Sequence, residues 1–384
     1  MRILHVITTL AEKSGGPPAG LAALAREQAA RGHEVTVLPV WNGESKTTLE
    51  AGKHGNLTVL EAIGQPGALF RDSTFRRQVE EAADDCDVVH IHGIWRYHNR
   101  AALEAARRRG IPYIVDPDGS LNEIPLGHKR LRKTAYYQAF ERRGVGQAAA
   151  IHCHSRKELH ELERLGLPAR RFVVPHPVDR GLLDIEPDFA RLSGQCPNLK
   201  PEHKVILYLG RLCWIKRTDL LLEAFIHVHA EFPDWHLLLA GPYEDADVVG
   251  HLRTRIQQEG IEAKVSMPGM VSGGTKAAAL RRAAVFAQPS SHESFGISVV
   301  EAMLFGLPLV LSDGIALSAD VEEAGAGMIA RCEVESFTKA LRSMLSDTAL
   351  RDATARRSRA LADRFTPEAV AELMETEYYR CLNQ

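Results

Sequence analysis

The 384-residue chain predicts a two-domain α/β protein in which each domain is a doubly wound, Rossmann-like parallel sheet. Short apolar runs alternate with amphipathic helical stretches along almost the whole sequence, and this order requires parallel strands with helices on both faces. The length exceeds what one ordinary core accommodates. Residues 186–203 are rich in proline and show little periodicity, so we expect a linker there.

The domain boundaries follow from the order of the apolar runs. In the first domain, residues 1–185, the predicted strands are Ile3–Ile7, Val35–Val40, Leu57–Leu60, Val88–His92, Tyr113–Val115, Ala149–Cys153 and Phe172–Val174. In the second, residues 204–365, they are Val205–Leu209, Trp235–Ala240, Val265–Met267, Val285–Ala287, Leu309–Leu311 and Met328–Ile329. Residues 366–384 predict a helix that crosses back to the first domain.

Composition predicts a cytoplasmic globular enzyme. The chain is 45% hydrophobic and 25% charged, which is normal for such proteins. No apolar run reaches the ~18 residues that span a bilayer. The six cysteines lack paired metal-ligand spacing, and this is typical of a reduced compartment. A net charge of −2 lacks the basic footprint of a nucleic-acid-binding protein.

Basic residues nevertheless gather in the first domain, at Arg107–Arg109 and across Lys129–Arg143, where Tyr136, Tyr137 and Phe140 lie among them. A solvated helix face is one interpretation of such a cluster. The alternative is contact with anionic lipid headgroups, which would make the protein peripheral at the inner membrane face.

The segment 291–302 is the strongest functional signal in the chain. It predicts a loop that carries Glu293 and a helix that carries Glu301 about two turns from its start, with backbones ~12 Å apart by helix rise. Two carboxylates at that spacing suit hydroxyls at the two ends of one elongated ligand. The backbone amides of Phe295, Gly296 and Ile297, at the start of the helix, would point toward an anion that lies between the two carboxylates. The pattern indicates a nucleotide-sugar site.

Two cations follow the first strand of the second domain. The predicted strand ends at Gly210, and Arg211 and Lys216 come before the next helix. A planar guanidinium and a compact ammonium together suit a diphosphate, whose charge grows as the sugar bond breaks. A surface loop with two unpaired cations is the alternative.

The turn after the first strand contains adjacent glycines, Gly15 and Gly16. Glycines allow a ligand to approach the backbone, and a helix start can face an anion. An ordinary strand–helix turn is equally consistent with this pattern. The turn is not G-x-G-x-x-G, so a nicotinamide-dependent oxidoreductase lacks its fingerprint.

In combination these motifs resemble the retaining, GT-B-fold glycosyltransferases of family 4. The resemblance is carried by Gly210-Arg211-Leu212 with Lys216, by Glu293-x7-Glu301 and by Gly306-Leu307-Pro308. It covers nearly the whole chain and implies two Rossmann-like domains that face a central cleft.

The resemblance also implies roles for particular residues. Arg211 and Lys216 would bind the donor diphosphate, Glu293 the hydroxyls of the transferred sugar, and Glu301 the ribose. The donor site would be completed by the Gly15-Gly16 turn, by Met270 beside the base, and by the helix start at Phe295, Gly296 and Ile297.

On the acceptor side the chain matches the family at one point and departs from it at two. His92 ends a His-x-His-Gly strand and would face the cleft, although a structural histidine that caps the strand is the alternative. Asp118 stands where many relatives carry histidine, and it could bind an acceptor hydroxyl or steady a developing cation. His176-Pro177 stands where relatives usually have Asn-Gly.

The expected reaction is retaining transfer of a hexosyl unit from a nucleotide-diphosphate sugar to a hydroxyl acceptor. The acceptor would be a lipid-linked or cell-surface polysaccharide intermediate, and Glu293, Lys216, Arg211, His92 and Asp118 would form the catalytic group. We expect front-face transfer without a metal or other cofactor, because two cations serve the diphosphate. The alternatives are a nucleotide-sugar epimerase, which needs no acceptor, and a non-catalytic carbohydrate-binding scaffold.

Overall fold

A computed structural model describes residues 1–41, 46–63, 72–121 and 136–383 of the chain. These residues form two compact units, one of Met1–Asp179 with Phe365–Gln384 and one of Arg180–Arg364. Each unit is built around its own sheet, and all but one of the strand pairs are parallel. The predicted fold class, two Rossmann-like α/β domains, is confirmed.

The first unit has an eight-stranded sheet among its described residues, in the order β3-β4-β2-β1-β5-β6-β7-β8. Its strands are β1 (Arg2–Ile7), β2 (Glu34–Pro39), β3 (Gly52–His54), β4 (Leu57–Val59), β5 (Val88–His92), β6 (Tyr113–Asp116), β7 (Ala150–Cys153) and β8 (Arg170–Val173). The sequence did not predict β3, which pairs antiparallel with β4 at the sheet edge. Its three residues are exposed and lack the apolar signal of a buried strand.

The described helices of this unit cover both faces of the sheet. They are α1 (Gly16–Ala30), α2 (Ser73–Ala83), α3 (Tyr97–Arg109), α4 (Arg142–Gly146), α5 (Arg156–Glu163) and, at the end of the chain, α13 (Pro367–Leu382). The two helices that precede α13, α12a (Val334–Ser346) and α12b (Thr348–Ala362), belong to the second unit. Helix α13 packs on α1, and Val370, Met374 and Tyr378 share a core with β1. The end of the chain thereby belongs to the first unit.

The second unit has a six-stranded sheet in the order β11-β10-β9-β12-β13-β14. Its strands are β9 (Lys204–Leu209), β10 (Trp235–Ala240), β11 (Val265–Gly269), β12 (Ala283–Gln288), β13 (Leu309–Ser312) and β14 (Gly327–Ala330). Its other helices are α6 (Phe189–Gln195), α7 (Thr218–Ile226), α8 (Ala246–Gln258), α9 (Gly273–Arg282), α10 (Ile297–Leu304) and α11 (Ser318–Ala324). Because the strands are parallel, the loops that follow β9, β11, β12 and β13 open at one edge of the sheet.

The segment expected as a linker, 186–203, is folded into the second unit instead. It contains α6, whose first turn is capped by the Asp188 side chain, which accepts a hydrogen bond from the Arg191 amide at 2.9 Å. The Asp188 amide donates to the Gly274 carbonyl at 2.9 Å. The sequence did not predict this helix, because seven residues are too few to show periodicity among the neighbouring prolines.

The turn after β10 depends on a glycine, and this allows a stability prediction. A Cβ on Gly241 would lie 1.7 Å from the carbonyl oxygen of Gly210, and its φ is +152°. We expect Gly241→Ala to lower the free energy of unfolding by about 2–4 kcal/mol, because backbone must move to admit the methyl group. Urea denaturation measures the change.

The matched control is Gly250→Ala in the middle of α8, where a Cβ meets nothing within 4 Å. That change should stabilise the protein by up to about 1 kcal/mol through helix propensity. Equal effects of the two substitutions would contradict the close approach at Gly241.

Candidate functional site

In the second unit, the loop after β12 that carries Glu293 is anchored by its backbone. The Glu293 amide donates to the Gly314 carbonyl at 3.2 Å, and the Ala316 amide donates to the Glu293 carbonyl at 3.0 Å. Glu293 thus pairs in parallel with Ile315, in the segment that follows β13. The glutamate is therefore held at the carboxyl edge of the sheet, where parallel α/β sheets bind ligands.

Gly296 makes the turn from this loop into α10. Its φ is +106°, which strains any residue with a side chain, and a Cβ there would lie 3.2 Å from Cγ2 of Val299, which is a tight contact. Phe295 is buried beside it, and α10 begins at Ile297. Glu301 is the fifth residue of the helix, a little over one turn from its start. The prediction of about two turns was wrong, because the glycine delays the first helical residue.

Lys216 and Glu293 lie together, as an ion pair between the Lys216 ammonium and the Glu293 carboxylate. Lys216 ends a short 3-10 turn, Trp214–Lys216, and is only 9% exposed. The Gln288 amide donates to the same carboxylate at 3.0 Å. Two donors, one of them charged, therefore hold the Glu293 side chain in place.

Glu301 has a cationic partner of its own, Lys276. Lys276 comes from α9, which follows β11, and sequence reasoning missed it. The signal that was available is Gly273-Gly274 at the start of a helix after a strand, a junction that opens at the same sheet edge. Both predicted donor glutamates are thus neutralised by a lysine from another segment.

The other predicted donor residues are more exposed. Both oxygens of the Glu244 carboxylate lie 2.7 Å from Nη1 of Arg211, whose side chain is about half exposed. Met270 follows β11 and is 56% exposed. Neither residue is part of the Lys216–Glu293 pair.

The first unit contains a cavity of about 210 Å³ at the carboxyl ends of β1, β5 and β6. Ser14 and Pro17, which flank the predicted glycine turn, line it. Gly15 has a φ of +85° and caps α1, whose first residue is Gly16. The predicted acceptor-side residues His92 and Asp118 also line this cavity, together with Asp116, His154 and His176.

The two departures from the family pattern contact one another. His176 Nε2 lies 3.3 Å from Asp118 Oδ1, so the carboxylate and the imidazole form a pair. Asp118 has a φ of +46°, and its amide donates to Asp116 Oδ1 at 2.9 Å. Gly20 of α1 leaves room for the pair, because a Cβ there would lie 3.0 Å from His176 Nδ1.

Asp116 is the buried charge around which this cavity is organised. Burial alone would favour the neutral acid, but the charge of His154 and hydrogen bonds from His154 and His92 hold the pKa of Asp116 well below its usual range. Burial likewise opposes protonation of His154, yet Asp116 raises the pKa of His154 to about 9. Burial raises the pKa of Glu158, behind them, to about 7. Sequence reasoning missed all three groups.

Three groups of side chains in the described part of the first unit bring nitrogen or carboxylate atoms within 4.8 Å of one another, as metal ligands do. They are His5, His90 and His92; His90, Asp116 and His152; and Asp118, His154 and His176. Most of these atoms are already hydrogen-bonded within the cluster or to neighbouring carboxylates. We therefore interpret the groups as a hydrogen-bonded network and assign no metal to them.

The basic surface expected to meet lipid is only partly described. Lys129, Arg130, Arg132 and Lys133 lie outside the described residues. At the end of α3, Arg108 pairs with Glu80 at 2.7 Å and Arg109 with Asp84. Among the described helices, none combines the length and the apolarity that crossing a bilayer requires.

Comparison with known proteins identifies the class to which this fold and this site belong. The model of the glycosyl transferase 4-like domain matches residues 15–177, and the model of glycosyl transferases group 1 matches residues 195–361. The two matches together span most of both units. The chain belongs to the glycosyl transferases group 1, and the predicted family is confirmed.

Two curated relatives match along most of their length. The D-inositol 3-phosphate glycosyltransferase of Jonesia denitrificans is 26% identical over 96% of this chain and 91% of its own. The GDP-mannose:cellobiosyl-diphosphopolyprenol alpha-mannosyltransferase of Xanthomonas campestris is 26% identical over 86% of this chain and 83% of its own. Both names describe glycosyl transfer.

Among solved structures, the Anabaena protein Alr3699/HepE in complex with UDP-glucose superposes with a TM-score of 0.76. The match covers 99% of each chain at 19% identity. At that identity the likeness establishes the fold, which is GT-B.

The Asp116–His154 pair predicts how stability depends on pH. The folded pKa of His154, about 9, exceeds the unfolded value of 6.5, so its contribution is complete below pH 6.5 and is lost as pH rises toward 9. We expect the free energy of unfolding to fall by about 2–3 kcal/mol across that window through this group. Urea denaturation at pH 6.5 and pH 9 measures the fall.

In His154→Gln most of this dependence should disappear. His160→Gln is the control, because His160 is exposed on α5, where its ring pairs with Glu163. The interpretation fails if wild type and His154→Gln lose the same stability between the two pH values.

Proposed function

We propose that the protein is a retaining glycosyltransferase that moves a hexosyl unit from a nucleotide-diphosphate sugar to a hydroxyl acceptor. The observation that carries this proposal is the contact between Lys216 and Glu293, which joins a cation and a carboxylate from separate loops at one edge of the second sheet. A phosphate recognises the first group and sugar hydroxyls the second, so a single ligand that contains both can engage the pair.

Donor binding would rearrange these charges. The diphosphate would take Lys216 and Arg211 as partners in place of Glu293 and Glu244, and the glutamate released from Lys216 would accept hydrogen bonds from the sugar. Cations placed at the phosphates stabilise the charge that develops on the leaving group. Glu301, which lies five residues beyond the cap of α10, would accept from the ribose with Lys276 beside it.

The surroundings of Glu293 support transfer on the front face. In the donor complex the Gln288 amide and the sugar hydroxyls would donate hydrogen bonds to its carboxylate, and these bonds reduce its strength as a nucleophile. Direct departure and attack on the same face keep the anomeric configuration without a covalent sugar–enzyme intermediate. Because Lys216 and Arg211 provide positive charge for the diphosphate, the proposed reaction needs no metal.

For the acceptor we propose a glycan or lipid-linked hydroxyl compound, as the name of the Xanthomonas relative suggests. The cavity of the first unit offers a carboxylate in Asp118 and an imidazole in His176 for contact with hydroxyl groups. Contact of the basic region around Lys129–Arg143 with anionic lipid would suit a lipid-linked acceptor, in a protein that is cytoplasmic and peripheral to the membrane.

Loss of either member of the Lys216–Glu293 pair should slow turnover strongly. We expect Lys216→Ala and Glu293→Gln each to lower kcat by on the order of 10²-fold or more, because each removes a contact to charge or hydroxyls of the donor. The measurement is release of nucleoside diphosphate in a screen of UDP- and GDP-sugars.

Lys339→Ala and Glu322→Gln, both at exposed positions of the second unit, are matched controls and should retain wild-type rates. Near wild-type rates in the Lys216 or Glu293 variant would remove that residue from the mechanism. Absence of binding to any nucleoside diphosphate would instead favour the non-catalytic scaffold.

Product analysis tests the reaction itself. With the active donor and an acceptor, the new bond should keep the anomeric configuration of the donor, as read from proton NMR couplings or enzymatic digestion of the product. EDTA should leave the rate unchanged, because protein cations serve the diphosphate. An inverted product, or a rate restored only by added Mg²⁺, would contradict the proposal, and conversion of donor alone to an isomeric sugar nucleotide would indicate an epimerase.

A further inference from the structure

A continuous chain of hydrogen-bonded polar groups, all buried except the partly buried His92, crosses the first unit from the carbonyl after β8 to the carboxylate at the end of β6. It includes four histidines, one amide and one phenol, and it reaches the C-terminal helix on the way. In order it joins Val174, His152, His90, Tyr378, Gln28, His5, His92 and Asp116.

One end of the chain is a backbone carbonyl, which only accepts. The Val174 oxygen lies 2.7 Å from His152 Nε2, so that nitrogen carries a hydrogen. His152 Nδ1 then faces His90 Nε2 at 3.3 Å, and His90 Nδ1 faces the Tyr378 hydroxyl at 2.9 Å. If His152 and His90 are neutral, His152 Nε2 donates to the Val174 carbonyl and His90 Nε2 donates to His152 Nδ1. The Tyr378 hydroxyl then donates to His90 Nδ1.

The second half continues from the phenol through an amide. The Gln28 side-chain nitrogen lies 3.4 Å from the Tyr378 oxygen, and its oxygen lies 2.8 Å from His5 Nε2. Gln28 is fully buried, so both ends of its amide need partners. His5 Nδ1 faces His92 Nε2 at 3.0 Å, and His92 Nδ1 faces Asp116 Oδ2 at 3.1 Å.

A count of hydrogens shows that the chain needs an extra proton. Seven links require seven hydrogens, because both terminal groups, a carbonyl and a carboxylate, accept. Four neutral imidazoles supply one each, the phenol supplies one, and the amide, which must accept at its other end, supplies one. One link therefore lacks a hydrogen unless one histidine is protonated on both nitrogens.

Electrostatics indicates which of the four histidines carries the extra proton. Burial lowers the pKa of His5 to about 3, and burial with the neighbouring imidazoles lowers the pKa values of His90 and His152 well below the usual value. His92 is the member of the chain that touches a carboxylate, Asp116. The groups that face its ring are His5 on β1, His90 on β5 and Asp116 on β6.

We propose that His92 is an imidazolium whose second proton is required by this chain, and that Tyr378 and Gln28 are the positioning residues that impose it. Both ring nitrogens of His92 then donate within the protein, to His5 and Asp116. His92 is thus a fixed positive charge beside the cavity rather than a proton acceptor for the substrate. Its influence on glycosyl transfer rests on the proposed function, whereas its protonation does not.

The variant Tyr378→Phe separates the two halves of the chain. Three links remain between Gln28 and Asp116, and they need three hydrogens. If the Gln28 amide flips so that its nitrogen faces His5, then Gln28, neutral His5 and neutral His92 each supply one. His92 no longer needs a second proton. At pH 8, we expect nitrogen-15 NMR of the imidazole side chains to show two protonated nitrogens on His92 in the wild type and one in Tyr378→Phe.

Tyr379→Phe is the matched control, because Tyr379 neighbours it on the same helix and is 51% exposed. It should leave the His92 signals unchanged. Gln28→Leu also removes the link between Tyr378 and residue 28, and it should reproduce the Tyr378→Phe spectrum. Backbone amide spectra show whether each variant is folded.

One unprotonated nitrogen on wild-type His92 at pH 8 would overturn the proposal. So would two protonated nitrogens in folded Tyr378→Phe, since the phenol would then not impose the charge. If the wild type transferred no sugar, the proposed function would be wrong, but the NMR comparison would still test the protonation of His92. A loss of turnover in Tyr378→Phe with unchanged His92 signals would mark Tyr378 as structural only.

Discussion

The burial of one carboxylate, Asp116, is the constraint on which the first unit depends. A carboxylate in the interior persists as an ion only when charged or hydrogen-bonded groups surround it. Here β5 contributes His92, β7 leads to His154, and the backbone of Asp118 contributes an amide. Asp118, whose φ is positive, donates its amide to Asp116, and the cavity lies at these strand ends.

In the second unit, lysines compensate the carboxylates at the site. Glu293 and Glu301 lie at the mouth of a parallel sheet, where two uncompensated carboxylates would repel each other, and Lys216 and Lys276 neutralise them one by one. Such pairs contribute little net stability, because desolvation offsets much of their attraction. In the proposed function, the same charges bind a ligand that carries phosphates at its centre and hydroxyls at its ends.

Much of this arrangement could be predicted, and the failures have physical causes. The strands Val88–His92 and Trp235–Ala240 appear with the predicted bounds, because an apolar run between turn residues is a local signal. The helix within 186–203 was missed because a cap and a backbone contact to Gly274 stabilise it, rather than its own periodicity. Lys276 was missed because the Gly273-Gly274 helix start beside it indicates the sheet edge but does not indicate which residue Lys276 contacts there.

The features that the sequence determines and those that only the tertiary structure decides therefore differ in how far apart the interacting residues lie along the chain. Alternating apolar runs, glycine turns and the spacing from Glu293 to Glu301 determine the α/β class, the family and the donor-side candidates, since each acts within a few residues. Only the tertiary structure decides that Asp118 meets His176 and that Tyr378 on the last helix meets His90. These contacts join residues far apart in the chain, and the protonation of a buried imidazole depends on which neighbours the fold brings to it.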